Sequence, residues 1–101
     1  MIILYAPYPS IQSARKAARN LLGKKLIACA NITQSVSVYG WKSKMKNGKE
    51  SIALFKTLHS RERACRREIE KTHPYELPCI ITLDAHANRE FEKWVGEQTR
   101  I

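Results

Sequence analysis

Hydrophobic positions are interspersed with charged ones along most of this chain, but the stretch from Leu26 to Trp41 (LIACANITQSVSVYGW) breaks the pattern. It contains no charged side chain, although 27% of all residues are Asp, Glu, Lys or Arg. A strand with one wet face places charged or strongly polar residues at every second position. Here neither alternation class carries a charge, so both faces are read as buried. The even positions from Ala28 to Val38 form a core face and the odd positions from Ile27 to Trp41 an interface face. Extended at ~3.3 Å per residue, the stretch would run roughly 50 Å, more than a small domain covers alone. A second copy of the chain is expected to cover the rest.

The flanking pattern predicts the other elements. Ile2 to Ala6 is a short apolar run stopped by Pro7 and Pro9, as suits a central strand. Ser10 can cap a helix whose Ile11, Ala14, Ala18, Leu21 and Leu22 recur at helical spacing, with Gly23 at the left-handed C-cap. Asn47-Gly48 supplies the positive φ angles of a tight hairpin, so the long strand returns as a third strand over Glu50 to Thr57. Ser60 can cap a second helix, with Ala64, Cys65, Glu68 and Ile69 inward, that runs to about Thr72 before His73-Pro74. Cys79 to Leu83 is a fourth strand, and Asn88 can cap a last helix with Phe91, Trp94 and Val95 as its packing stripe. The order βαββαβα predicts an α+β, ferredoxin-like sandwich over residues 1–101: a four-stranded antiparallel sheet backed by helices, with strands two and four at the edges. An uncharged edge strand invites pairing with another chain.

Composition narrows the function classes. Eighteen Lys and Arg against nine Asp and Glu give a formal charge of +9, enough to attract polyanions over about a Debye length, ~8 Å. The positive residues lie on presumed solvent faces of helices (Arg15, Lys16, Arg19; Arg63, Arg66, Arg67, Lys71) and at the hairpin tip, where solvation accounts for them. The opening residues have neither the basic start nor the apolar run of a signal peptide, and no stretch approaches a membrane span, so a cytoplasmic protein is expected. Cys29, Cys65 and Cys79 form no close-spaced pair and are read as free, packed thiols.

Three segments carry a family likeness. Leu26-Ile-Ala-Cys29-Ala-Asn31-Ile32, then Tyr39-Gly-Trp41-Lys42 running through Glu50 to Lys56-Thr57, then His73-Pro-Tyr-Glu-Leu-Pro78, together resemble the CutA family of divalent-cation tolerance proteins. Order and spacing match over essentially the whole chain. The resemblance implies a homotrimer with the sheets packed around its three-fold axis and the long hairpin crossing subunit boundaries. It implies a link to tolerance of copper and other divalent metals, with no established catalytic reaction. It also implies an architecture similar to nitrogen-regulatory signalling proteins, whose ligands bind in clefts between subunits. Three departures stand out. The hairpin reads Lys44-Met-Lys-Asn-Gly-Lys49 where relatives are often acidic. Strand one offers Leu4-Tyr5 where some relatives have a copper-linked cysteine. Thr72 stands where some have a second histidine, which leaves His73 as the remaining ligand of that proposed set.

The candidate chemistry follows. His73 and Cys29 are the metal candidates, since imidazole and thiolate suit copper; the competing readings are helix capping for His73 and packing for Cys29. Copper or another divalent cation is expected to bind weakly and not to be required. Pro74 and Pro78 shape the turn that carries Tyr75 and Glu76, which makes those two a cleft wall. Tyr39, Trp41, Glu50 and Lys56 on the hairpin are expected to face the same cleft, with an ion pair from Lys56 to Glu50 or Glu76 as the alternative. An RNA-binding module is the competing class, but strand three offers only Phe55 as a stacking ring, so no specific nucleic acid is expected. A thiol enzyme built from Cys29, His73 and Asp84 lacks any local nucleophile motif, and a non-enzymatic protein is expected.

Overall fold

The computed structural model describes residues 1–100. Its elements are β1 (Ile2–Tyr8), α1 (Ile11–Gly23), β2 (Cys29–Trp41), β3 (Lys44–Thr57), a 3-10 turn (His59–Arg61), α2 (Glu62–Thr72), β4 (Ile81–Asp84) and α3 (Arg89–Gln98). The strands form one sheet in the order β2-β3-β1-β4. All three pairings are antiparallel. This is the ferredoxin-like arrangement, with β2 and β4 at the edges as the sequence pattern predicts.

The core lies between the sheet and the first two helices. Ile2, Leu4 and Ala6 of β1 alternate toward Ala14, Ala18 and Leu21 of α1, and Cys65 and Ile69 of α2 join the same cluster. Ala53 and Phe55 of β3 complete it, with Ala30 and Ile32 of β2 half-buried beside them. The even face of β2 therefore serves the core only as far as Ile32. Val36 and Val38, further along, are 75% and 68% exposed.

Turn chemistry departs from the sequence reading in several places. The hairpin turns at Lys42 and Ser43, whose φ angles are 50° and 64°, while Asn47 and Gly48 pair within β3 opposite Val38 and Ser37. A turn at Asn47-Gly48 would have set Val38 opposite Thr57 and left residues 29–37 without a partner, so the gain from pairing outweighs the better turn dipeptide. The hairpin is consequently longer than expected, with thirteen residues of β2 matched to β3. Its tip projects past the core. The subunit measures 45 × 25 × 21 Å with a radius of gyration of 14.0 Å, against about 13 Å for a compact chain of this length.

Helix ends show similar substitutions. Ser10 caps α1 reciprocally with Ser13, as a capping box requires. At its other end Gly23 stays inside the last turn, and Lys25 takes the left-handed position at φ 57°. The bonds from Leu26 N–H to Leu21 O and from Lys25 N–H to Leu22 O are those of a Schellman motif. Ser60 does not cap α2; the 3-10 turn intervenes and Arg61 holds the N-cap position without a side-chain bond. Asn88 holds the N-cap of α3, also without one. Ala64 is exposed. Cys65 is fully buried as expected, but Cys79 is exposed because it precedes β4 rather than opening it.

Candidate functional site

The two long strands carry most of the site. Directly opposed residues of an antiparallel pair stand on one face. Trp41 faces Lys44, Tyr39 faces Lys46, Ser37 faces Gly48 and Ser35 faces Glu50, so these side chains share the face of the sheet turned away from α1 and α2. The connection from α2 to β4 comes over the end of β1 and closes one side. Pro74 and Pro78 each fix a φ angle there, and residues 74–77 between them run as a bend. Between hairpin and connection lies an open cavity of about 580 Å³, whose aromatic and charged lining is Tyr39, Trp41, Tyr75, Lys46, Glu50 and Glu76.

Tyr75 ties the two walls together. Its hydroxyl donates to Glu50 Oε2 at 2.7 Å, and burial, then the Glu50 carboxylate, pushes its ionisation well above the usual phenol range. Its backbone N–H donates to His73 Nδ1 at 3.1 Å. The other ring nitrogen of His73, Nε2, lies 2.8 Å from the Pro7 carbonyl, which can only accept, so the ring is the neutral Nε2–H tautomer. The imidazole also stacks on Tyr8, centroids 4.3 Å apart, and tilts against Tyr75 at 5.0 Å. His73 is thus a strut between the core and the cleft wall.

Burial lowers the His73 pKa, outweighing the opposing pull of the Pro7 hydrogen bond and Glu50. A depressed histidine pKa stabilises the fold above the unfolded value, about 6.5, and that stabilisation is lost as pH falls through the lower folded value. Protonation also turns Nδ1 into a donor facing the Tyr75 N–H. The melting temperature should therefore fall more between pH 7.5 and pH 5 for the natural chain than for His73→Gln. Parallel profiles would show that the strut does not titrate in this range.

The cavity gathers five of the six cleft residues expected from sequence: Tyr39, Trp41, Glu50, Tyr75 and Glu76. Lys56 is not among them. It lies opposite Cys29 and Ile3, six residues along β3 from Glu50, and its ammonium sits 5.6 Å from the Phe91 ring centroid, so it pairs with neither Glu50 nor Glu76 in the subunit. Ser37, Lys46, Leu77 and Cys79 also line the cavity. Placing the turn at Lys42-Ser43 is what would have brought Lys46 into register with Tyr39.

The residues present do not fit a metal centre within one subunit. His73 packs beside Pro7, which pairs with Ile52, whereas Cys29 pairs with Lys56, four residues further along β3 and ~13 Å of strand away. Both nitrogens of His73 are engaged. The Cys29 thiol is pushed up by burial, against the pull of Lys56, and so away from the thiolate a metal needs. Among the described residues no group of three or more His, Cys, Asp or Glu is placed to hold an ion. Nor is Cys29, His73 and Asp84 a triad: Asp84 pairs with Ile2, at the opposite end of β1 from His73, and its carboxylate lies 3.4 Å from His59.

Fold and site together define a class: a small ferredoxin-like protein with an overlong hairpin beside an open aromatic cleft. Comparison with known proteins places it within that class. The family model described as CutA1 divalent ion tolerance protein matches residues 2–98. The Thermococcus kodakarensis divalent-cation tolerance protein CutA is 41% identical over 96 residues, covering 94% of this chain and 92% of the relative. The crystal structure of CutA1 from Pyrococcus horikoshii superposes with a TM-score of 0.96 at 35% identity, covering all of both chains. That of the protein described as the periplasmic divalent cation tolerance protein CutA from Archaeoglobus fulgidus gives 0.95 at 31%, covering 99% and 100%. The chain belongs to the CutA family of divalent-cation tolerance proteins.

Proposed function

We propose that this protein is a non-enzymatic homotrimer of the divalent-cation tolerance type whose clefts, completed between subunits, bind a small ligand. The observation that carries this reading is the hairpin. Val36, Val38 and Met45 stand 68–83% exposed on one of its faces, while the opposite face carries the cleft residues. A charge-free strand with both faces bare in the subunit is supported only if another copy covers it. Copper or another divalent cation enters as a weakly held ion, not needed for folding, because His73 must surrender one of its two hydrogen bonds, that from the Tyr75 N–H or that to the Pro7 carbonyl, to coordinate it. Among the described residues no helix is long and apolar enough to cross a membrane. We place the protein in the cytoplasm, where its three free cysteines would stay reduced.

Light scattering at micromolar concentration should return three times the 11.6 kDa of the chain; a monodisperse monomer would overturn the reading. Calorimetric titration with copper should give weak binding that weakens further in His73→Ala and Cys29→Ser and as pH falls, since protons compete for the ligands. Equal affinity in all three proteins would move the metal to other residues.

A further inference from the structure

The charge of the cleft runs against that of the chain. Overall the protein carries +9, yet the charged side chains lining the cavity are Glu50, Glu76 and a single lysine, Lys46. Among the described residues neither carboxylate forms an ion pair. Glu50 accepts one hydrogen bond, from Tyr75, and keeps further acceptor sites free. Three aromatic rings, Tyr39, Trp41 and Tyr75, line the same space.

Rings gathered around a carboxylate suit one ligand chemistry. The face of an aromatic ring is negative and attracts a cation whose charge is spread over alkyl groups, and water exclusion strengthens the attraction. The Trp41 ring already attracts an ammonium in this way: the chain's own Lys42 Nζ lies 5.9 Å from its centroid. A simple metal ion would find two carboxylates without further ligands, and an anion would find only Lys46 against them. Resting on the cleft reading above, we propose that the site binds an organic ammonium ion, its alkyl groups against Tyr39, Trp41 and Tyr75 and its charge answered by Glu50 and Glu76. Lys46, and the Lys42 ammonium already over the Trp41 ring, oppose the ligand and lower its affinity.

The test uses the assembled protein, choline as probe and its neutral isostere 3,3-dimethylbutan-1-ol as control, read by calorimetry and by the Trp41 emission change in a Trp94→Phe background. Choline should saturate the site and bind about tenfold more tightly than the isostere. Glu50→Gln, which keeps the shape of the side chain, should weaken choline severalfold, and Lys46→Gln should strengthen it. Equal binding of choline and isostere, weaker choline binding by Lys46→Gln, or no saturation by about 10 mM choline would each overturn the inference. Those results leave the mass of the assembly unchanged, so failure of the ammonium reading is distinguishable from failure of the trimeric reading, which scattering reports separately. Glu76→Gln, at an exposed position outside the core, provides a second charge removal should Glu50→Gln disturb folding.

Discussion

Phe55→Ala is expected to destabilise the subunit by about 3–5 kcal/mol, the range for emptying a fully buried aromatic site. Phe55 is wholly buried on β3, an inner strand of the sheet, paired with Leu4 on one side and Ala30 on the other, and Tyr8 meets it edge-on with centroids 6.3 Å apart. Neighbours on two strands are fixed by the sheet and cannot close the hole. Because whole domains are stable by only about 5–15 kcal/mol, such a loss removes a large part of the total. Denaturant unfolding at one fixed protein concentration would read it as a fall in midpoint with little change in slope, and Phe55→Leu should cost well under half as much. A loss below about 1 kcal/mol would mean that the core relaxes around the site far more than a sheet-centred position allows.

Thr33→Asp is expected to dissociate the proposed trimer while sparing the subunit. Thr33 is exposed in the subunit, opposite Ile52 on the face turned away from α1 and α2. A carboxylate there meets water in a lone subunit, where surface changes usually stay within about 0.5 kcal/mol. Buried in a contact between copies without a partner, it costs several kcal/mol per subunit. Sedimentation should show a folded monomer at micromolar concentration. A variant that remains trimeric and equally stable would show that the odd-numbered face of β2 is not covered. Ser35 would be a poorer choice, since Glu50 stands directly opposite and an aspartate there would meet a like charge within the subunit itself.

Much of the architecture was legible because hydrophobic period and topology agree. The apolar run of β1 and the helical spacing of α1 each have one physical solution, and the element order with right-handed crossovers then sets β2 and β4 at the edges. What escaped reading was local. Lys25, Lys42 and Ser43 occupy left-handed backbone that costs roughly 1–2 kcal/mol per residue without glycine, and residue preference alone pointed to Gly23 and Gly48. Pairing along the whole hairpin and the Schellman bonds decide these positions, and neither is visible from a dipeptide. The cleft shows the same division. Tyr75 and Glu76 were legible from the prolines around them, whereas Lys46 depended on the register and was missed. Lys56, polar inside an apolar strand, looked like a site residue but packs its ammonium against Phe91 of the last helix.

The lysines around the hairpin tip have a consequence for the order in which the chain folds. Residues of β2 and β3 near the turn are a few positions apart, and hairpins of this kind close in about 1–10 μs, whereas β1 must find β4 across some eighty residues, from Ile2 to Asp84. The hairpin therefore forms while Val36, Val38 and Met45 still lack anything to pack on. An early, bare, two-stranded ribbon is a template for runaway strand addition. Lys42, Lys44, Lys46 and Lys49 concentrate like charge on that ribbon, so two nascent copies repel in the edge-to-edge approach that would seed fibrils.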